Sequence, residues 1–201
     1  MRPFPYFGIA IFLSGVMGCA PQTSVDQGPE AGPVLPGLLN LDGQPLDLGS
    51  LHQSPLTVFL FTRTDCPISN RCAPEICRLC EKYQPRGVRF YLVYVDAHQS
   101  PDEIRRHLHD YGYPCPGLRD VKHKLVTTCN ATATPEAVVW NRERATVYQG
   151  RVNDLYMELG KPRAEATTHD LADAIDAALT SRPITTPLTR AIGCPIADLK
   201  D

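Results

Sequence analysis

The sequence predicts an α/β domain, a central mixed β-sheet flanked by helices and entered through an N-terminal β-hairpin. Three observations carry this. Leu56–Phe61 is a continuous apolar run of strand length, as in a strand buried on both faces. A helical segment starts directly behind it, and β-rich and helical segments alternate from there on. Ahead of it, two short alternating runs flank Asp42-Gly43, a hairpin signal.

The elements follow in order. Residues 38–48 make the hairpin and 56–61 the central strand. Residues 68–84 read as a helix capped by Ser69 or Asn70. Val88–Val95 is a second β-rich run. Ser100-Pro101-Asp102-Glu103 opens a helix with a cap, a proline in the first turn and early acids, and that helix ends near Gly112. A loop with Pro114, Cys115, Pro116 and Gly117 follows, then a short helix around 121–129. Ala133-Thr134-Pro135 precedes a strand over Glu136–Trp140, with Arg144–Gln149 as its antiparallel neighbour. His169–Leu179 is an amphipathic helix. The domain therefore spans 37–181. A mobile Pro- and Thr-rich tail, 182–201, carries Gly193-Cys194-Pro195-Ile196, and the tripeptide Cys-Pro-Ile occurs twice in the chain.

The first nineteen residues stand apart from the fold. Arg2 is a thin positive region, and Ile9–Val16 an apolar stretch too short to span a bilayer. Val16-Met17-Gly18-Cys19 resembles a bacterial lipobox, in which Cys19 is lipidated after cleavage; an ordinary signal peptide is the alternative. Both readings export the chain. Residues 20–36 are rich in Pro, Gly and polar side chains and read as a flexible tether.

A formal net charge of −2 and the lack of a basic stripe exclude nucleic acid as the expected partner. Eight cysteines are present, and without Cys19 the count is odd, which points to one reactive or transiently paired thiol beside any structural disulfides. Cys66 is the position that points to chemistry. It lies where the apolar strand ends and a helix begins, near unpaired backbone N–H groups and the positive end of the helix dipole, which favour the thiolate.

In this order and spacing the chain resembles the thioredoxin-like superfamily over roughly residues 36–180, and most of all its redoxin branch, which holds peroxiredoxins and periplasmic TlpA-type thiol oxidoreductases. Cys66-Pro67-Ile68-Ser69 occupies the redox-motif position. Ala73-Pro74 falls where thioredoxins carry a helix-kinking proline. Thr134-Pro135 matches the Thr-Pro that is cis in that fold and faces the active cysteine, and Tyr148–Arg151 resembles the strand end that follows.

The departures bear on mechanism. Ser69 stands where thioredoxins keep a second cysteine, so the adjacent resolving thiol is missing. Asp65 replaces the usual aromatic residue, and an acid there raises the thiol pKa, with Arg63 and Arg71 offsetting it. Peroxiredoxins place Thr or Ser three residues before the nucleophile and Pro seven before it; here those places hold Arg63 and Phe59.

The resemblance implies an exported thiol–disulfide oxidoreductase with Cys66 as nucleophile. Ser69 caps the helix or hydrogen-bonds the thiolate, and Pro135 shapes the site. Asp65, Arg63 and Thr134 form its rim. Cys194 and Cys129 are the candidate resolving thiols, Cys194 preferred. Neither an organic cofactor nor a metal is called for. The partners are a protein or small-molecule disulfide or peroxide, an external thiol reductant, and the membrane through a lipid anchor on Cys19, facing the periplasm. The alternatives are a thiol peroxidase with antioxidant activity, or a non-catalytic metal- or partner-binding module on the same scaffold. Six helical residues place Cys72 on the wrong face to reach Cys66, and Cys77 and Cys80 read as buried or disulfide-bonded. Arg151, Asn153 and Asp154 form either a polar rim or an ordinary turn. The six histidines read as solvated surface groups.

Overall fold

The computed structural model describes Met1 and residues 34–197. The chain divides into two units, Met1–Glu30 and Ala31–Asp201, and everything below concerns the second. The segments read from the sequence as signal peptide and tether, with Cys19, lie outside the described residues up to residue 33.

In chain order the strands and α-helices are β1 (Val34–Asn40), β2 (Pro45–Asp47), β3 (Leu56–Thr62), α1 (Pro67–Tyr83), β4 (Arg89–Tyr94), α2 (Pro101–Asp110), β5 (Gly117–Asp120), α3 (Lys124–Cys129), β6 (Ala133–Thr134), β7 (Glu136–Asn141), β8 (Thr146–Gly150), β9 (Tyr156–Glu158), β10 (Lys161–Pro162), α4 (Asp170–Leu179) and β11 (Cys194–Pro195). Seven strands form one mixed sheet in the order β2-β1-β5-β4-β3-β7-β8. β4 runs parallel to both β3 and β5, and the remaining pairs are antiparallel. β9 pairs with β10, and β11 with β6, outside that sheet.

Strand alternation sorts the core onto two faces. On β3, Leu56, Val58 and Leu60 pack with Ile76 and Leu79 of α1, Ile104 of α2 and Ile175 of α4. Phe59 and Phe61 point the other way, onto Leu125 and Val126 of α3, Leu38 and Trp140. The thioredoxin-like α/β architecture is thus a sheet between two helical layers. Among the described residues no helix is long and apolar enough to cross a membrane.

Four expectations are corrected. β1 begins at Val34, inside the segment read as tether, because β5 and β2 both offer it backbone partners. β5 falls where the sequence predicts a loop; its four residues lack a β-type pattern and become a strand only between β4 and β1. Cys66 itself, not Ser69 or Asn70, is the N-cap of α1. The tail is not free: residues 187–196 lie hydrogen-bonded along β8 and β6.

Candidate active site

β3 is central and ends at Thr62, so the loop 63–65 delivers Cys66 at the carboxyl end of the sheet, where open α/β sheets hold their chemistry. Cys66 has extended backbone (φ −83°, ψ 108°), and its Sγ accepts the Ser69 N–H at 3.5 Å in place of a capping oxygen. Pro67 follows at the first helical position, where a missing N–H costs nothing. Cys66 is therefore part of the helix start, facing its unpaired amides.

The Thr134–Pro135 peptide is cis, and the Thr134 carbonyl accepts a hydrogen bond from Cys66 Sγ at 3.1 Å. Behind it, the buried Glu136 carboxylate accepts the backbone N–H groups of Thr132 (2.8 Å) and Ala133 (3.2 Å) and the Gln149 side chain (2.7 Å). Glu136 braces the loop that carries Thr134 and Pro135. Its sequence signal is an acid heading an otherwise apolar strand directly after Thr-Pro.

Cys194 arrives from the far end of the chain. Its Sγ lies 2.9 Å from that of Cys66. β11 holds it there by antiparallel pairing with β6, Cys194 opposite Thr134 and Pro195 opposite Ala133. The structure holds both as free thiols. Cys129, the other candidate, is buried in the second apolar cluster and makes no hydrogen bond to Cys66 among the described residues.

The two sulfurs are electrostatically unlike. Burial alone pushes the Cys66 thiol up; hydrogen bonds from Cys194, the Ser69 hydroxyl, Thr134 and the Ser69 N–H outweigh it and bring the pKa down to about 7. The buried Ser69 hydroxyl makes no hydrogen bond, so it does not cap the helix and is free to turn toward the Cys66 thiolate, whose pKa it lowers. Cys194 goes the other way, to about 11, through burial and its contact with Cys66. Asp65 is exposed and pairs with Arg63 at 2.9 Å; its charge adds to what holds the Cys194 thiol up, and Arg63 opposes it.

The remaining sequence candidates sort as follows. Cys72 is buried near Pro135, and burial first and the Cys66 charge second push it to about 12. Cys80 and Cys115 are buried in the same apolar cluster, while Cys77 Sγ donates to the Gly112 carbonyl at 3.5 Å. These are free thiols, and no cluster of three or more metal-binding side chains occurs among the described residues. Arg151 pairs with Asp170 at the start of α4, and Asp154 accepts the N–H groups of Thr167 and Thr168; both are structural ties. His107, read as a surface group, is 6 % exposed. Its Nε2 meets Asn70 Oδ1 at 2.9 Å and its Nδ1 meets the Tyr94 hydroxyl at 2.8 Å.

Residues 26–149 match the model of the AhpC/TSA family. The chain belongs to the AhpC/TSA family. The matched part of this AhpC/TSA protein holds Cys66, Thr134 and Pro135 and stops before the tail with Cys194. Among solved structures it is similar to an uncharacterized conserved protein from Geobacillus kaustophilus, at 29% identity and a TM-score of 0.72, over 85% of this chain and 93% of that one. A hypothetical protein from Sinorhizobium meliloti shares 23% identity at a TM-score of 0.69, over 84% and 94% of the two chains. A secreted disulfide oxidoreductase from Mycobacterium tuberculosis, described as homologous to Escherichia coli DsbE, shares the fold at 17% identity and a TM-score of 0.50, over 72% and 93%. No curated relative matches the chain. Family and fold assign this AhpC/TSA protein a redox function at the family level.

Proposed function

We propose that this protein is an exported thiol–disulfide oxidoreductase of the redoxin type, tethered to the membrane through Cys19, with Cys66 as nucleophile and Cys194 as resolving thiol. The observation that supports it is the 2.9 Å approach of the two sulfurs. Cys66, with a pKa of about 7, is roughly half thiolate at neutral pH, near the optimum for attack on a disulfide. The thiolate displaces one sulfur of the substrate disulfide, which leaves as a thiolate, and a mixed disulfide forms on Cys66. Cys194 gives up its proton and attacks Cys66 Sγ. The second substrate sulfur leaves, and the Cys66–Cys194 disulfide remains. The substrate has gained two electrons and the dithiol has lost them; an external thiol reductant restores it.

The Ser69 N–H and side chain favour the Cys66 thiolate before attack; in resolution the sulfur that leaves is the substrate's. Resolution thus runs through a distant thiol instead of a neighbour at position 69.

The test is stoichiometric reduction of a model disulfide by the reduced protein. The wild type should transfer one electron pair per chain; Cys66→Ser should transfer none, and Cys194→Ser should stop at the mixed disulfide. Full reduction by Cys66→Ser would overturn the reading.

A second reading, a thiol peroxidase, draws on family membership and uses the same pair, with a Cys66 sulfenic acid condensing with Cys194. Against it, Arg63 stands at the place of the peroxide-positioning hydroxyl. Thr64 Oγ1 is occupied by Gln99 at 2.6 Å. Hydrogen peroxide consumption compared with disulfide reduction separates the two.

A further inference from the structure

The tail is seated with more contacts than placing one sulfur requires. Along the sheet edge, Gln149 N donates to the Pro187 carbonyl at 2.9 Å, and Thr189 N to the Gln149 carbonyl at 2.9 Å. The Thr189 hydroxyl accepts Arg151 N at 3.0 Å and meets the Tyr148 hydroxyl at 2.8 Å. Past the crossing to β6, Ile196 N donates to the Thr132 carbonyl at 3.0 Å. β6 has β11 as its only sheet partner among the described residues. Without the tail, its backbone groups form an open edge of the kind that takes up an extended chain.

Two glycines allow this seat. A Cβ on Gly193 would lie 2.0 Å from the Thr134 carbonyl oxygen, and one on Gly150 would lie 2.0 Å from Thr189 Oγ1. Cys66 beneath is 1 % exposed. Any mixed disulfide with a polypeptide must set a foreign sulfur where Cys194 Sγ now lies, and a foreign backbone along β6.

We propose that residues 187–196 are a tethered pseudosubstrate that competes with the partner polypeptide for the β6 edge and thereby gates Cys66. This rests on Cys66 being the nucleophile. In the dithiol form the tail is held by hydrogen bonds and exchanges with an incoming segment. In the Cys66–Cys194 disulfide form, made by the two-electron step above, it is locked in place. A partner in the same register meets the same wall at Thr134, so the favoured segment has glycine immediately before its cysteine.

The test uses the full chain carrying Cys194→Ser, so that no lock forms, with and without Gly193→Val. Cys66 labelling by a bulky maleimide is followed by mass spectrometry, alongside amide exchange of residues 188–196. Gly193→Val should speed both, the labelling by roughly tenfold or more as the open population rises. A synthetic peptide of residues 186–197 with Cys194→Ser should restore protection, whereas the same peptide with Gly193→Ala should not. Gly193→Ala in the chain, a milder change, should act in the same direction. Equal labelling in the parent and Gly193→Val chains, unchanged tail exchange, or protection by both peptides would overturn the gate. If the tail is released and even iodoacetamide fails to label Cys66, the nucleophile assignment falls and the gate with it; fast labelling of both chains removes the gate alone.

Discussion

Cys194 Sγ lies 2.9 Å from Cys66 Sγ across 128 positions of sequence, and the pairing of Cys194 with Thr134 holds it there. Thr134 also receives the Cys66 thiol on its carbonyl. One residue beside the cis-proline therefore sets the position of both sulfurs.

Mild oxidation should join the peptides that contain Cys66 and Cys194, and leave Cys129 as a free thiol. Cys129 is enclosed by Phe61, Val95 and Leu125 in the second cluster, and burial first pushes its pKa to about 12. Disulfide mapping under non-reducing conditions reads this directly. A Cys66–Cys129 bridge would contradict the arrangement.

The rate of Cys66 alkylation should rise with pH around a midpoint of about 7. Ser69→Ala removes one donor to the thiolate, so its profile should move to higher pH. At pH 6 its rate should fall by roughly threefold or more, as expected for loss of a hydrogen bond to a charged acceptor. Site-resolved mass spectrometry against pH measures both.

His107 links α2 to α1 and β4. Asn70 Nδ2 donates to the Thr64 carbonyl at 2.9 Å, so Asn70 Oδ1 is free to accept His107 Nε2–H, and Nδ1 accepts the Tyr94 hydroxyl. This requires the neutral ring, and burial lowers its pKa, with Asp110 opposing. Below the ordinary histidine range the unfolded chain binds a proton that the folded one refuses, so stability falls as pH drops from about 6.5. Denaturant midpoints should decline over that range in the wild type and decline less in His107→Gln.

Glu136→Ala should leave the N–H groups of Thr132 and Ala133 without their acceptor. Each buried unsatisfied donor costs about 1–3 kcal/mol, so urea denaturation should show a loss of that order. The loop that carries Thr134 should loosen with it, and the Cys66 alkylation profile should shift in the same variant.

Much of this site is legible along the chain because its nearest parts are local. The change from the apolar run 56–61 to Cys66-Pro67 marks the end of a buried strand and the start of a helix, and Thr134-Pro135 carries its own signal. The capping role of Cys66 was less legible, since Ser69 and Asn70 are the better caps by residue type. The choice fell to the loop 63–65, which brings the Cys66 Sγ onto the Ser69 N–H. β5 and the brace of Glu136 were hidden for a related reason. Neither follows a periodic pattern, and both exist because a neighbouring strand or loop presents unpaired backbone groups.

The order of strands and helices, the cysteine at the strand-to-helix junction and the absence of a thiol at position 69 are properties of the sequence by itself, set by short-range preferences of backbone and side chain. Which distant cysteine meets Cys66, the burial of His107 and the path of the tail were decided only in three dimensions. Backbone edges of β6 and β8, open glycine positions at 150 and 193, and competition for buried hydrogen-bond partners select among arrangements that look equivalent along the chain.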